Sequence, residues 1–107
     1  MAITNTRLTD TQPTQVFQAV GQQVVSVMYI CNTSNVGNVA VNVFCIDSGD
    51  STGASEDNCI YSQLEITQND TYVVSTEKLV LDNNDELEVE ANVANVITVT
   101  VSSFAIG

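Results

Sequence analysis

An antiparallel β-sandwich of jelly-roll or immunoglobulin-like type, all-β, with roughly seven to eight short strands and little or no helix, is the fold this sequence predicts. Three observations carry the prediction. Apolar and polar residues alternate with period two over 24–31, 39–46, 87–93 and 96–104, the pattern of strands with distinct faces. Clusters of Asn, Asp, Ser and Gly punctuate the chain at roughly 8–12-residue spacing. No stretch longer than a turn repeats with the 3.6-residue helical period.

Residues 1–12 are polar apart from Ile3 and Leu8, and read as an extended arm or a short edge strand. Pro13, the only proline, opens a strand over Thr14–Val20. A proline is tolerated there because the first residue of a strand loses no central ladder bond. Gly21-Gln22-Gln23 turns the chain into Val24–Ile46, the segment around which the rest is arranged. Two apolar runs there flank Asn35-Val36-Gly37-Asn38, whose Gly and Asn suit a tight reversal. In the first run Val25, Val27, Tyr29 and Cys31 share one parity, and Val24, Met28 and Ile30 the other. In the second, Val39, Val41, Val43 and Cys45 oppose Ala40, Asn42, Phe44 and Ile46. The expectation is a β-hairpin, or two adjacent strands, at the centre of a sheet. Since both faces are apolar, one fills the core and the other meets a second layer or another chain.

Asp47–Asn58 is a loop rich in Ser, Gly and Asp. Cys59–Ile66 is a strand with Ile60, Leu64 and Ile66 on one parity and Cys59, Tyr61 and Glu65 on the other. Thr67–Asp70 turns into a strand over Thr71–Ser75, and the short apolar run Leu79–Leu81 leads to a second turn at Asp82–Asp85. Leu87, Val89, Ala91 and Val93 then point inward against Glu88, Glu90 and Asn92. Ile97, Val99 and Val101 do the same against Thr98, Thr100 and Ser102.

At 107 residues the chain is one domain, residues 1–107, able to bury a modest core. Arg7 and Lys78 are its only basic residues against thirteen acidic ones, a formal net charge of −11. That balance argues against nucleic acid, whose binding depends on Lys and Arg displacing counterions, and against anionic membranes. It also keeps a β-rich chain soluble. No basic and apolar leader opens the sequence, which predicts synthesis in a cytoplasm. Three cysteines, Cys31, Cys45 and Cys59, are an odd number for a disulfide framework in a reducing compartment. Pairing of Cys31 with Cys45 across neighbouring strands stays open.

Chemistry finds little purchase. The chain has no His, so nucleophilic triads lack their usual base and a zinc site its usual ligands. Glu88 and Glu90 share a strand face, as a glycosidase pair could, but alternating Glu opposite Thr reads first as a solvated face. Calcium is the one metal to weigh. Asp82, Asn84 and Glu86 stand at i, i+2 and i+4 without the glycine and distal Glu of a calcium loop. The other oxygen-rich stretch holds Asp47, Asp50, Glu56 and Asp57; both read first as solvated turns. Asn32-Thr33-Ser34 and Asn69-Asp70-Thr71 match the glycosylation sequon by coincidence, given no secretion signal. No catalytic residue, cofactor or metal is expected.

From Tyr72 onward the chain reads YVVSTEKLVLDNNDELEVEANVANVITVTVSSFAIG, and upstream it holds MYICNTS and VNVFCID. These phrases resemble small virion proteins of tailed bacteriophages, especially marine cyanophages, over most of the chain. One departure is that the turn after Leu81 lacks a glycine, so Asn83 or Asn84 is expected to take the left-handed conformation. The resemblance implies a non-enzymatic β-sandwich in the virion, made in the host cytoplasm. It implies a capsid decoration or cement protein that binds the major capsid protein of the outer shell in many copies, as a homo-oligomer, often a trimer. A tail, neck or fibre component involved in host attachment is the alternative. Expected interface residues are Ile3 and Leu8 on the arm, Val24, Met28 and Ile30 on one face of the first apolar run, and Phe44 on the second.

Overall fold

The computed structural model describes residues 2–35, 37–75 and 78–106. Nine strands follow one another among them: β1 (Ala2–Arg7), β2 (Thr14–Gln18), β3 (Gln23–Asn32), β4 (Val39–Ile46), β5 (Cys59–Ile66), β6 (Thr71–Val74), β7 (Leu79–Leu81), β8 (Glu86–Ala91) and β9 (Ile97–Ala105). The one helical element among the described residues is a 3-10 turn, Glu56–Asn58, capped by the Ser55 hydroxyl. The strands form two antiparallel sheets. A five-stranded sheet runs β1-β9-β3-β6, with β7 also paired to β3; a four-stranded sheet runs β2-β8-β4-β5. Only β4 to β5 and β6 to β7 connect within a sheet, and every other connection crosses between the two. A chain that alternates between sheets and returns its last long strand beside its first has the topology of a jelly roll, here with β7 as a short addition. The immunoglobulin-like option falls, because its first two strands share a sheet and here β1 and β2 do not.

The core lies between the inner faces. Met28 and Ile30 of β3 and Ile97, Val99 and Val101 of β9 meet Val39, Val41 and Val43 of β4 and Leu87, Val89 and Ala91 of β8, all buried. Leu8, Val16, Phe17, Ala19 and Ile66 close its ends. The inward sets expected on β8 and β9 are thus as the alternation indicated, except that Val93 lies past the end of β8 and is exposed.

The expected β3–β4 hairpin does not form. Each strand is central in its own sheet, β3 between β9 and β6/β7, β4 between β8 and β5. Each has an apolar inner face, and the two bury those faces against opposite sides of one core. Asn32 makes the corner. Its side chain is fully buried, and its Nδ2 donates to the carbonyls of Ile66 (3.0 Å) and Gly37 (3.2 Å). The Ser34 amide donates to its Oδ1 (2.9 Å). The end of β3 is thereby fastened to the end of β5 in the other sheet.

Bulges break the period-two parity in three strands. Ser26 is an extra residue of β3 opposite β9, so Val24 and Val27 share the outer face while Val25 joins Met28 inside. Val16 is extra in β2 opposite β8, which lets both Val16 and Phe17 be buried. In β5, Gln63 takes a left-handed φ of 56° and its backbone amide donates to Asn42 Oδ1. Tyr61 is thereby packed on the core with Leu64, and Ile60 is exposed. The Asp82–Asp85 turn closes as expected without glycine, with Asn84 at φ 71°.

Candidate binding face

The outer face of the five-stranded sheet can be assembled from the register. Val24 of β3 stands between Phe104 of β9 and Val80 of β7. The next row places Val27 beside Ser102, which pairs with Ile3 of β1. A third sets Tyr29 between Thr100 and Val73 of β6, with Asn5 beyond Thr100. Facing residues on adjacent strands have Cβ atoms about 5 Å apart, so each row is continuous. Exposure is 67% for Ile3, 58% for Val80, 48% for Val73, 42% for Tyr29 and 40% for Phe104. Of the other exposed large apolar residues, Val20, Val93 and Ile106 lie singly at turns and near the chain end, while Ile60 and Tyr72 gather with Tyr61, Val74 and Leu79 along the open edge between the sheets. Solvent-facing apolar groups placed singly are ordinary, whereas a contiguous sheet face of them marks an interaction surface.

Charge sorts the same way. None of β1, β3, β6, β7 and β9 contains a carboxylate, on a chain that has thirteen. Arg7, at the far end of this face opposite Thr98, donates to the Asn95 carbonyl. Lys78 Nζ donates to the Ser26 and Ser75 carbonyls, in the gap that separates β6 from β7 along β3. Both basic residues of the chain therefore border the apolar face.

The outer face of the four-stranded sheet is its opposite. Glu86, Glu88 and Glu90 run along β8 beside Ile46, Phe44 and Asn42 of β4, and Glu65 stands beside Ala40. Asn42 Nδ2 donates to Glu90 at 2.9 Å. A hydrogen bond with Glu86, partial burial and the Glu86 charge, in that order, push the Glu88 carboxyl up to about 7. These acids make a mutually repelling stripe.

The expected interface residues divide between these surroundings. Ile3 is exposed on the apolar face. Val24 lies on the same face but only 8% exposed, covered by its neighbours Phe104 and Val80. Met28 and Ile30 are core, because the Ser26 bulge separates their parity from that of Val24, and Leu8 is core as well. None of these three reaches a free surface. Phe44 is buried on the acidic side, where Ala54, Ser55 and Glu56 of the loop lie beside it. Of the calcium candidates, Asn84 takes the left-handed position of its turn. Asp82 accepts from the Gln22 amide at 3.0 Å, Glu86 faces Glu88, and the neighbouring Asp85 carboxylate accepts from the backbone amides of Asp82 and Ser48. In the loop, Asp47 and Asp50 accept from the amides of Gly49 and Thr52. Among the described residues no three His, Cys, Asp or Glu side chains are grouped to hold a metal ion. Cys31 faces outward beside Thr98, Cys45 packs on the core of the other sheet, and all three thiols are free. Burial, then Asp85 and Asp47, push the Cys45 thiol up.

Sequence reasoning missed Tyr29, Val73, Val80 and Phe104 as members of the face. Tyr29 had the right parity, but nothing local marked which parity was outward, and β6 and β7 are too short to show alternation. Compared with known proteins, the chain matches no protein family, no curated protein and no solved structure.

Proposed function

We propose that the chain is a non-enzymatic virion structural protein of a tailed bacteriophage, a capsid decoration or cement protein that sits on the outer shell in many copies. The observation that carries this reading is the apolar, carboxylate-free outer face of the five-stranded sheet. On a chain of net charge −11, it is the surface best suited to adhesion, because it can be desolvated without burying an unpaired anion. The phage assignment comes from the phrases around TEKLVL, MYICNTS and VNVFCID. Jelly rolls serve in viral capsid domains and also in lectins, so the architecture is compatible with the assignment without deciding it. The major capsid protein is the proposed partner, and the acidic face of the four-stranded sheet is left toward solvent.

Quantitative peptide analysis of gradient-purified virions, separated into heads and tails, tests the proposal. Recovery with heads at a copy number comparable to the shell subunits supports it. Recovery with tails alone moves the chain to the tail, neck or fibre alternative. Absence from particles defeats both.

A further inference from the structure

We propose that a groove across the outer face of the four-stranded sheet binds a neutral oligosaccharide. The site lies on the sheet turned away from the adhesive face, and it holds whether or not the virion reading does.

The groove is built on a bulge. Two residues of β5, Ser62 and Gln63, stand opposite the single Asn42 of β4, between the pairs Val41–Leu64 and Val43–Tyr61. Gln63 takes φ 56° there, a backbone conformation that residues with a side chain seldom adopt. Its backbone amide donates to Asn42 Oδ1 (2.7 Å), and Asn42 Nδ2 donates to Glu90 (2.9 Å). One line of hydrogen bonds thus fixes three residues on the adjacent strands β5, β4 and β8. Backbone strain held in place this way gathers at ligand sites, and a bulge beside one re-aims a side chain. Cavities of about 250 and 320 Å³ share these three residues. Joined, they fall within the roughly 300–1,000 Å³ of ligand pockets. The floor follows β4 from Ala40 to Phe44, about 13 Å at 3.3 Å per residue, the length of a short oligosaccharide.

The lining selects the ligand. With Asn42 occupied, a ligand is offered the second carboxylate oxygen of Glu90, the Gln63 side-chain amide, the Ser62 hydroxyl and Asn92 Nδ2. None of these has another partner among the described residues. Acceptors, donors and a hydroxyl that does both therefore stand together. Sugar hydroxyls each donate and accept, so neighbouring hydroxyls on one ring match such a set, and the carboxylate strengthens the bond it receives.

Other ligand classes fit less well. A phosphate or sulfate would meet Glu90, with Glu86 and Glu88 further along β8, while Arg7 and Lys78 both border the other sheet. A metal ion finds no group of three acidic ligands among the described residues. An apolar ligand finds little surface, because the one aromatic ring in the groove, Phe44, is 6% exposed. An extended peptide adds to an open sheet edge, whereas β4 is paired on both sides, by β5 and β8. Recognition here runs through side chains. With no exposed ring to stack on a sugar, affinity rests on hydrogen bonds, and a Kd on the order of 1 mM is expected.

Amide NMR titration of the full chain tests the site, using neutral oligosaccharides of glucose, galactose, mannose, xylose and N-acetylglucosamine, each to about 20 mM. At least one should saturate and move the backbone amides of Asn42, Gln63 and Asn92. Gln63→Gly keeps the left-handed backbone without strain and deletes the side-chain amide, and should weaken that binding about tenfold. Glu90→Gln keeps an acceptor for Asn42 but removes the charge, and should cost about as much. Asn5→Ala, on the other sheet, should leave binding unchanged, and each variant's own spectrum reports its folding. The proposal is overturned if no sugar saturates, if the shifts centre on the five-stranded sheet, or if neither groove variant weakens binding. Dextran sulfate binding more tightly than neutral glucan would overturn it too. Sugar binding by a chain absent from particles would keep the site and defeat the virion reading; a chain found on heads that binds no sugar would do the reverse.

Discussion

Replacing Asn32 by alanine is the sharpest test of how the two sheets are joined. The side chain is fully buried and holds three hydrogen bonds, two donated to Ile66 and Gly37 carbonyls and one accepted from the Ser34 amide. Each is worth about 0.5–1.5 kcal/mol net, more where the abandoned group is left buried. Truncation withdraws a partner from all three backbone groups, so the expected loss is about 3 kcal/mol. Against a total of about 5–15 kcal/mol for a domain of this size, that is a large fraction. It corresponds to a fall in Tm of about 10–15 °C, readable by thermal melts and urea titration. Asn32→Asp keeps the acceptor for Ser34 but loses both donations and buries a carboxylate, so it should be worse than alanine at neutral pH. Thr33→Ala, next in sequence but exposed, removes one hydrogen bond to the Val96 carbonyl and should change stability by less than about 0.5 kcal/mol. If Asn32→Ala lowered Tm by less than about 3 °C, the corner would not hold the sheets and the reasoning would be refuted.

Two further predictions concern polar groups on β8 and β9. Ser103 Oγ is buried with no hydrogen-bond partner among the described residues, so Ser103→Ala should stabilise the chain by about 1 kcal/mol in a urea titration; a loss of similar size would contradict an unpaired hydroxyl. Glu88 keeps its proton up to about pH 7 in the folded chain, against 4.5 for an ordinary glutamate. Between those values the folded state binds more protons than the unfolded one, so stability falls as pH rises through the window and levels off above it. Screening on this open face limits the effect to about 1 kcal/mol. Glu88→Gln should therefore flatten the decline and raise the urea midpoint at pH 7.5 relative to pH 4.5; an unchanged slope would contradict the Glu86–Glu88 contact.

Much of the sandwich was legible because its long strands obey simple alternation. Leu87, Val89 and Ala91, and Ile97, Val99 and Val101, point inward as their parity indicates. Illegible features arose where tertiary context overrode a local rule. Asn35-Val36-Gly37-Asn38 looks like a hairpin turn, yet the buried Asn32 carries the chain into the other sheet, and no local signal separates an Asn that caps a corner from one that solvates a turn. Bulges at Val16, Ser26 and Gln63 reverse parity within a strand, so Val24 was grouped with Met28 and Ile30 although the sheet places it on the opposite face. The slip at Ser26 carried directly into the expected interface, where Met28 and Ile30 are core. The acid-free face itself was readable only after topology had gathered β1, β3, β6, β7 and β9 into one sheet. Along the chain those strands are interleaved with the acidic Asp47–Asn58 loop and β8.

The central claim is that β3 buries one face within the chain and offers the other to a protein partner. Met28 and Tyr29 are adjacent in sequence and lie on opposite faces, the first in the core and the second 42% exposed. Met28→Lys and Tyr29→Lys, compared by circular dichroism, urea titration and sedimentation, separate the two roles. Met28→Lys should cost more than about 4 kcal/mol by burying an unpaired ammonium, and should leave the chain largely unfolded. Tyr29→Lys should cost less than about 1 kcal/mol, keep the β spectrum and fail to associate. A folded Met28→Lys, or a Tyr29→Lys variant that assembles like the wild type, would contradict the account.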